Sequence, residues 1–280
     1  MKKILIAILI IFSVSLGYSL GFFNNFLKKD QRIASKSTIL TVGLVADSHT
    51  ENDLLAKALF QLKAANVDFV IGLGDYTNVG TVLELTAAKK AFDHSGFKYY
   101  LIPGDHDGWE SREKNEGNIT NFEKVFGTAT TQTFDVQGVQ FNLVDNSDIY
   151  KGISPGDWSL VTGSLSKPAR LRLVFAHKTP FHPDSAHIMG EDSPEVARQA
   201  KDFLALMEGP KGPNEPKGPK VDGFFSGDLH FFARFNSPSG SVRITTIGAV
   251  TSQRNFQGPR FGILKIYSDY TWDVLDQEIH

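Results

Sequence analysis

In Thr41-Val42-Gly43-Leu44-Val45-Ala46-Asp47-Ser48-His49 an apolar run of the kind that makes a buried strand stops at two residues that bind hard metals. The pattern returns in Phe69-Val70-Ile71-Gly72-Leu73-Gly74-Asp75. Three further stretches end the same way: Gly104-Asp105-His106-Asp107, Ala176-His177 and Gly227-Asp228-Leu229-His230. Open α/β sheets bind ligands outside the carboxyl ends of their strands, so side chains delivered there from separate strands converge on one crevice. Within Asp47-Ser48-His49, residues i and i+2 share a face and can share one ion.

Working outward from these strand ends, the chain reads as alternating strands and helices. Strands are expected near 39–46, 68–73 and 98–102, with helices near 51–65 and 80–94 between them. A further helix is expected over Asn118 to Phe126, stopped by Gly127. Runs at 132–136 and 139–145 flank Gln137-Gly138, which invites a tight hairpin turn. After a strand at 171–176 comes a helix near 194–208, ended by Gly209-Pro210. Residues 211–220, LysGlyProAsnGluProLysGlyProLys, read as a solvated loop because Pro and Gly recur through them. Strands near 221–226, 231–235, 242–247 and 261–266 close the chain. Early βαβ units followed by a strand-rich end make this an α/β protein with two packed sheets flanked by helices, and no internal repeat interrupts it.

At 280 residues and 41% apolar the chain can bury a sizeable core. A formal net charge of -2 gives no electrostatic case for nucleic acid. With no Cys, disulfides, thiolate zinc sites and Cys nucleophiles are excluded. Residues 1–29 form a separate unit: Met1-Lys2-Lys3 precedes a nearly uncharged stretch of about twenty residues, long enough to span a bilayer. Ser15-Leu16-Gly17 is a passable cleavage site for a signal peptide, but apolar character continues through Phe22, Phe23, Phe26 and Leu27, which favours an uncleaved anchor helix. Residues 30–37 read as a polar linker and 38–280 as the functional domain. The expected placement is membrane-anchored or exported, with that domain outside the cytoplasm.

The order DxH, GD, GDHD, H, GDxH, spread from residue 40 to 265, resembles the DxH, GD, GNH(D/E), H, GHxH signature of the calcineurin-like metallophosphoesterases. Asp105 stands where that family has Asn, and Asp228 where it has the first His of GHxH; both remain able to bind metal. The resemblance implies a four-layer α/β/β/α sandwich. It also implies two divalent ions, one held by Asp47, His49, Asp75 and His230, the other by Asp75, Asp105, His177 and Asp228, with Asp75 bridging. A hydroxide between such ions would attack phosphorus while His106 protonates the leaving group of a phosphate monoester or diester. The substrate would be a small-molecule or cell-envelope phosphoester. Where the family often has the last Asp of GDxxDxG orienting this His, this chain has Asn78; Asp107, beside His106, is expected to take over that role. With two carboxylates replacing an amide and an imidazole, the second position is oxygen-rich, which favours manganese or iron over magnesium or zinc.

Each residue also has a plainer reading. A single Asp after a strand is ordinarily a helix cap or turn former, and a single His such as His177 is ordinarily satisfied by a backbone carbonyl. Only the ordered set lifts them above that. Four carboxylates cancel two divalent ions, so an anionic substrate needs nearby bases; Lys178 and Arg234 are the first candidates, with Arg112 and Arg254 behind them. His182 and His187 lie in a loop where substrate contact competes with simple surface exposure. The alternative function is a non-catalytic member of the same fold that binds a metal or nucleotide at the cell surface.

Overall fold

Leu40, Val42 and Leu44 face one side of β1 (Thr38–Val45) and Val45 the other, the period-2 pattern of a strand buried on both faces. The computed structural model to which this strand belongs describes residues 36–209 and 221–280. The anchor expected at 1–29, most of the linker at 30–37 and the loop at 211–220 lie outside the described residues. Among the described residues no helix is long and apolar enough to cross a membrane.

The elements following β1 are α1 (Asn52–Ala64), β2 (Phe69–Gly72), α2 (Val82–Ser95) and β3 (Tyr99–Leu101). A single 3₁₀ turn (His106–Gly108) leads into α3 (Trp109–Glu113) and α4 (Thr120–Phe126). Then come β4 (Gln132–Val136), β5 (Val139–Val144), α5 (Pro155–Leu165), β6 (Leu171–Ala176), α6 (Pro194–Glu208) and β7 (Gly223–Ser226). Four strands finish the chain: β8 (Ala233–Asn236), β9 (Arg243–Thr246), β10 (Arg260–Tyr267) and β11 (Trp272–Glu278). Two mixed sheets result, one ordered β11-β10-β1-β2-β3 and the other β4-β5-β6-β7-β9-β8. β1, β2 and β3 run parallel, as do β5, β6, β7 and β9, so their carboxyl ends open toward one end of the molecule.

Alternation along the strands builds three cores. Val42, Leu44, Phe141, Leu173, Phe175, Phe225 and Leu264 meet between the sheets. On the outer face of the first sheet, Leu55, Leu59 and Leu62 of α1 and Leu85 and Phe92 of α2 pack on Val45 and Val70. Across the molecule, Val161 of α5 and Val196 and Phe203 of α6 cover Val174 and Phe224. Burying each such side chain contributes about 1.5–3 kcal/mol. Close packing fixes Gly43, where an added Cβ would stand 2.7 Å from Leu62 Cδ1.

The turn at Gln137-Gly138 joins β4 to β5 with φ of 52° and 81°, the left-handed pair that a two-residue hairpin needs. Gly127 caps α4 at φ 65°. Three elements carry weak sequence signals. The α5 helix holds Gly156 and Gly163, which mask it, although Ser154 followed by Pro155 is a helix-start pair and Ser154 Oγ does cap the Asp157 amide. The β11 edge strand is rich in acidic residues; Trp272 and Val274 are buried in the inter-sheet core while Asp273 is exposed. The α3 helix is only five residues long and follows directly on the 3₁₀ turn.

Candidate metal centre

The strand ends bring the expected ligands together. Beyond β1 and β2 the chains stay paired through their loops, with Asp47 N donating to Gly74 O, His49 N to Asp75 O and Thr50 N to Tyr76 O, each at 3.0 Å. Thr251 N donates to Asp47 O, and Gly227 N to His177 O, tying in the loops of the second sheet. Asp47, His49, Asp75, Asp228 and His230 all adopt left-handed backbone, with φ between 43° and 67°. Asp and His tolerate that region better than most residues, and strain of this kind collects at functional sites. Neither Asp47 nor Asp75 caps a helix: Glu51 occupies that position for α1, and Thr81 with Glu84 forms a capping box on α2.

The glycines preceding the acidic ligands have a steric reason. A Cβ on Gly74, whose φ is 95°, would lie 2.6 Å from His177 Nδ1, and one on Gly104 would collide with the Asp75 carboxylate. A Cβ on Gly227 would lie 3.0 Å from Asp47 Oδ2. Only glycine lets the loops close this far.

Side-chain distances fall in two groups. His49 Nε2 lies 3.0 Å from His230 Nε2 and 3.6 Å from Asp75 Oδ2. His177 Nε2 lies 3.2 Å from Asp105 Oδ1, 3.4 Å from Asp75 Oδ1 and 3.7 Å from Asp228 Oδ1. Ligand atoms about 2.1 Å from a common octahedral ion are about 3 Å apart, so these spacings suit coordination. The sets Asp47/His49/His230, Asp47/Asp75/His177 and Asp105/His177/Asp228 each converge within 4.8 Å. The decisive test of fit is what lacks a partner: buried Asp47 Oδ2 and Asp228 Oδ2 accept no hydrogen bond. Buried polar atoms are normally paired, so two unpaired carboxylate oxygens inside a cluster of expected ligands fit a bound cation. His177 satisfies both its readings, since Nδ1 donates to Leu73 O at 2.7 Å and so directs Nε2 at the carboxylates.

Electrostatics follow from this crowding. Burial, reinforced by Asp75 and Asp228, pushes the Asp47 carboxyl well up. Burial opposes the charged form of His177 too, but the carboxylates of Asp75, Asp105 and Asp228 prevail and hold it well above the usual imidazole range. His49, by contrast, is lowered to about 4 by burial. Such a balance favours a cation among these groups.

One cation is already present. Lys178, 3% exposed, places Nζ 2.8 Å from Asp228 Oδ1, 3.4 Å from Glu191 and 3.7 Å from Asp105. Although burial disfavours its charge, Asp228 and Asp105 hold its pKa above the ordinary value. In return Lys178 and His187 overcome the burial of Asp228 and hold that carboxyl down to about 2. His187 reaches the same oxygen, Nε2 at 3.3 Å, while Nδ1 pairs with Glu191; mainly through the Asp228 hydrogen bond it is raised to about 9. The sequence leaves His187 between substrate contact and exposure and does not single out Glu191. The signal was Asp228 itself: a carboxylate in place of an imidazole asks for a compensating cation nearby.

Two expectations need correction. Asp107 does not touch the His106 imidazole. A 3₁₀ turn rotates successive side chains by about 120°, so His106 faces out while Asp107 is buried and accepts from Thr77 N, Thr77 Oγ1 and Gly104 N at 3.1, 2.8 and 3.0 Å. It ties the β2 and β3 loops together. The His106 ring is instead oriented by a backbone carbonyl, Nδ1 donating to Asn78 O at 2.6 Å, while the Asn78 side chain bonds Thr50. Arg234 is the second correction: its guanidinium bonds the Val274 carbonyl, lies 3.3 Å from Asp273 and covers Phe232, so β8 directs it at the β11 edge and not at the ligands. Arg112 braces the site loop from behind, bonding Asp105 O and Asn118 Oδ1 at 2.6 Å. His182 packs on Phe231 and Phe235.

Two mixed sheets with a carboxylate and imidazole cluster at their joint strand ends define a class, and the comparisons agree with it. The family model of the calcineurin-like phosphoesterases matches residues 40–232, a span holding all of the expected ligands; the chain belongs to that family. No match was found among curated proteins. A dimetal phosphatase from Danio rerio has a similar fold, with a TM-score of 0.61, 16% identity, and 87% of this chain and 100% of that one covered. A purple acid phosphatase from yellow lupin seeds gives 0.58 at 13% identity, covering 87% of this chain and 52% of that one. The protein TT1561 of Thermus thermophilus gives 0.53 at 12%, covering 87% and 100%.

Proposed function

We propose that this chain is a metal-dependent phosphoesterase with two divalent ions, one position formed by Asp47, His49, Asp75 and His230 and the other by Asp75, Asp105, His177 and Asp228. The observation that carries this reading is the pair of buried, unpartnered oxygens Asp47 Oδ2 and Asp228 Oδ2 inside a ligand cluster whose negative charge Lys178 offsets only in part. Its membership of a phosphoesterase family supports the reaction class. When bound, divalent ions supply an activated water and draw charge from the phosphoryl oxygens.

The chain's own groups do the rest. His106 Nδ1 donates to the Asn78 carbonyl, which leaves Nε2 as the nitrogen that would hand a proton to a leaving oxygen. Asp107 holds the loop that carries it. Lys178 removes one unit of the negative charge added by Asp105 and Asp228, which eases the approach of an anionic ester. The oxygen-rich second position is matched to manganese or iron. The sequence of residues 1–29 supports action outside the cytoplasm, tethered to the membrane or released, on a small-molecule or cell-envelope phosphoester.

The test is hydrolysis of a chromogenic phosphoester by manganese-loaded protein, lost with chelator and restored by metal. Stoichiometric metal without turnover of monoester or diester would favour the non-catalytic, metal- or nucleotide-binding alternative.

A further inference from the structure

A leaving group protonated at His106 Nε2 must extend toward whatever lies beyond that ring. Next to it, 5.2 Å between ring centroids, is the indole of Trp109. Beyond lies a cavity of about 360 Å³ lined by Asp105, Trp109, Arg112, Glu113, Ile149 and Tyr150. Asp105, an expected ligand, is among its lining residues, and its backbone carbonyl accepts from Arg112 on the same wall. Trp109 and Tyr150 are large aromatic side chains left 41% and 61% exposed. The indole is held by its side chain, and Tyr150 by its backbone. The indole Nε1 donates to Glu113 Oε1 at 2.6 Å, and the Tyr150 backbone is fixed through Asp148 Oδ1 and Ser193 Oγ. A pre-oriented ring presents its face without a large ordering cost.

The wall carries charge of both signs and an apolar face. The guanidinium of Arg112, the cation lining the cavity, is already engaged by Asp105 O and Asn118 Oδ1. The remaining charges on the wall, Asp105 and Glu113, are carboxylates. A planar ring entering it would meet two aromatic side chains and Ile149.

We propose that this cavity is the leaving-group subsite, and that the preferred substrates are phosphoesters of an alcohol carrying an aromatic ring. The proposal rests on the phosphoesterase reading, since it takes His106 as the point where the leaving oxygen lies.

The experiment compares benzyl phosphate with butyl phosphate, whose leaving alcohols are similar in acidity, so their ratio of kcat/KM reports the ring and not the ease of bond breaking. Binding of the non-hydrolysable pair benzylphosphonate and butylphosphonate to the manganese-loaded full chain is measured by calorimetry alongside. Trp109→Ala should lower the benzyl-over-butyl ratio by about 3- to 10-fold in both assays, as expected for loss of an aromatic contact. Tyr150→Ala should lower it similarly, Trp109→Phe should largely restore it, and Leu83→Ala, a more exposed apolar side chain on α2, should leave it alone. If neither ester is hydrolysed but benzylphosphonate still binds preferentially and loses that preference in Trp109→Ala, the subsite stands and the hydrolytic reading fails. Hydrolysis with a ratio indifferent to both Trp109→Ala and Tyr150→Ala overturns the subsite and leaves the phosphoesterase intact. Absence of any preference for the ring in the wild-type chain, in turnover or in binding, also overturns it.

Discussion

Replacing Lys178 with Met removes a buried ammonium while keeping much of its stem. In the metal-free protein this takes the ammonium from Asp228, Glu191 and Asp105, which stand 2.8, 3.4 and 3.7 Å from Nζ, and leaves them His187 and His177 as cationic neighbours. Both Lys178 and Asp228 are under 5% exposed at the side chain, so solvent screens the loss little. Breaking a buried pair by removing one partner costs about 3–5 kcal/mol, and at roughly 2–4 °C per kcal/mol for a domain of this size the melting temperature should fall by about 6–20 °C. Adding saturating manganese should recover at least half of that fall, because a divalent ion bound to Asp105 and Asp228 supplies the missing charge. Acid should also close the gap. Asp228 is held at about 2 against an ordinary 3.8, so its contribution is present above about pH 4 and disappears as pH falls through 2. The assay is thermal unfolding of both proteins in chelator and in manganese, at pH 7 and in a descending acid series. A Lys178→Met protein as stable as wild type in chelator, or destabilised equally with and without metal, would refute the view that this lysine stands in for metal charge.

Asp75→Ala should remove both metal and activity while circular dichroism stays native, whereas His49→Ala should lose about one ion per chain; an Asp75→Ala protein with near-normal turnover contradicts the shared-ligand reading. His106→Ala should slow an alkyl phosphoester by about 10²- to 10⁴-fold and a nitrophenyl ester much less, and equal losses on both would point to a structural role for that ring. Activity of stripped protein should return better with manganese than with zinc, and the double change Asp105→Asn with Asp228→His should shift the preference toward zinc; one ion per chain, unchanged by Asp228→Ala, would mean those carboxylates are not ligands. Gly74→Ala places a methyl 2.6 Å from His177 Nδ1 at a φ of 95°, so it should cost about 1–3 kcal/mol and weaken metal retention, which parallel denaturant titrations with and without metal would reveal.

The parts of this protein legible in its sequence are those with a single cause. Leu40, Val42 and Leu44 alternate because one face of β1 meets the other sheet, and Gln137-Gly138 makes its turn because glycine and a left-handed neighbour are what that turn requires. The convergence of the strand-end carboxylates and imidazoles was readable because their order along the chain constrains them jointly. What escaped was decided by three-dimensional context. Whether His106 is oriented by Asp107 or by the Asn78 carbonyl depends on the rotation of one 3₁₀ turn. Arg234 left the site because β8 offers its side chain to β11, a strand whose acidic sequence concealed it. His187 entered because a long loop folds back onto Asp228, which no local periodicity encodes.

The left-handed backbone at five of the ligands also bears on how such a site can change over time. At φ between 43° and 67° the side chains that sit with least protest are Asn, Asp and His, and these are also residues whose lone pairs bind cations. The scaffold therefore acts as a filter on drift: at a position like Asp228 an exchange among those three is absorbed without refolding the loop, whereas a change to Val or Leu would be rejected by the main chain before any question of chemistry arose. Ligand identity, and with it the choice of ion, is free to wander inside a small alphabet. For the experimenter the same fact argues for Asp→Asn over Asp→Ala at Asp47, Asp75 and Asp228, since the amide removes charge while leaving the backbone at ease.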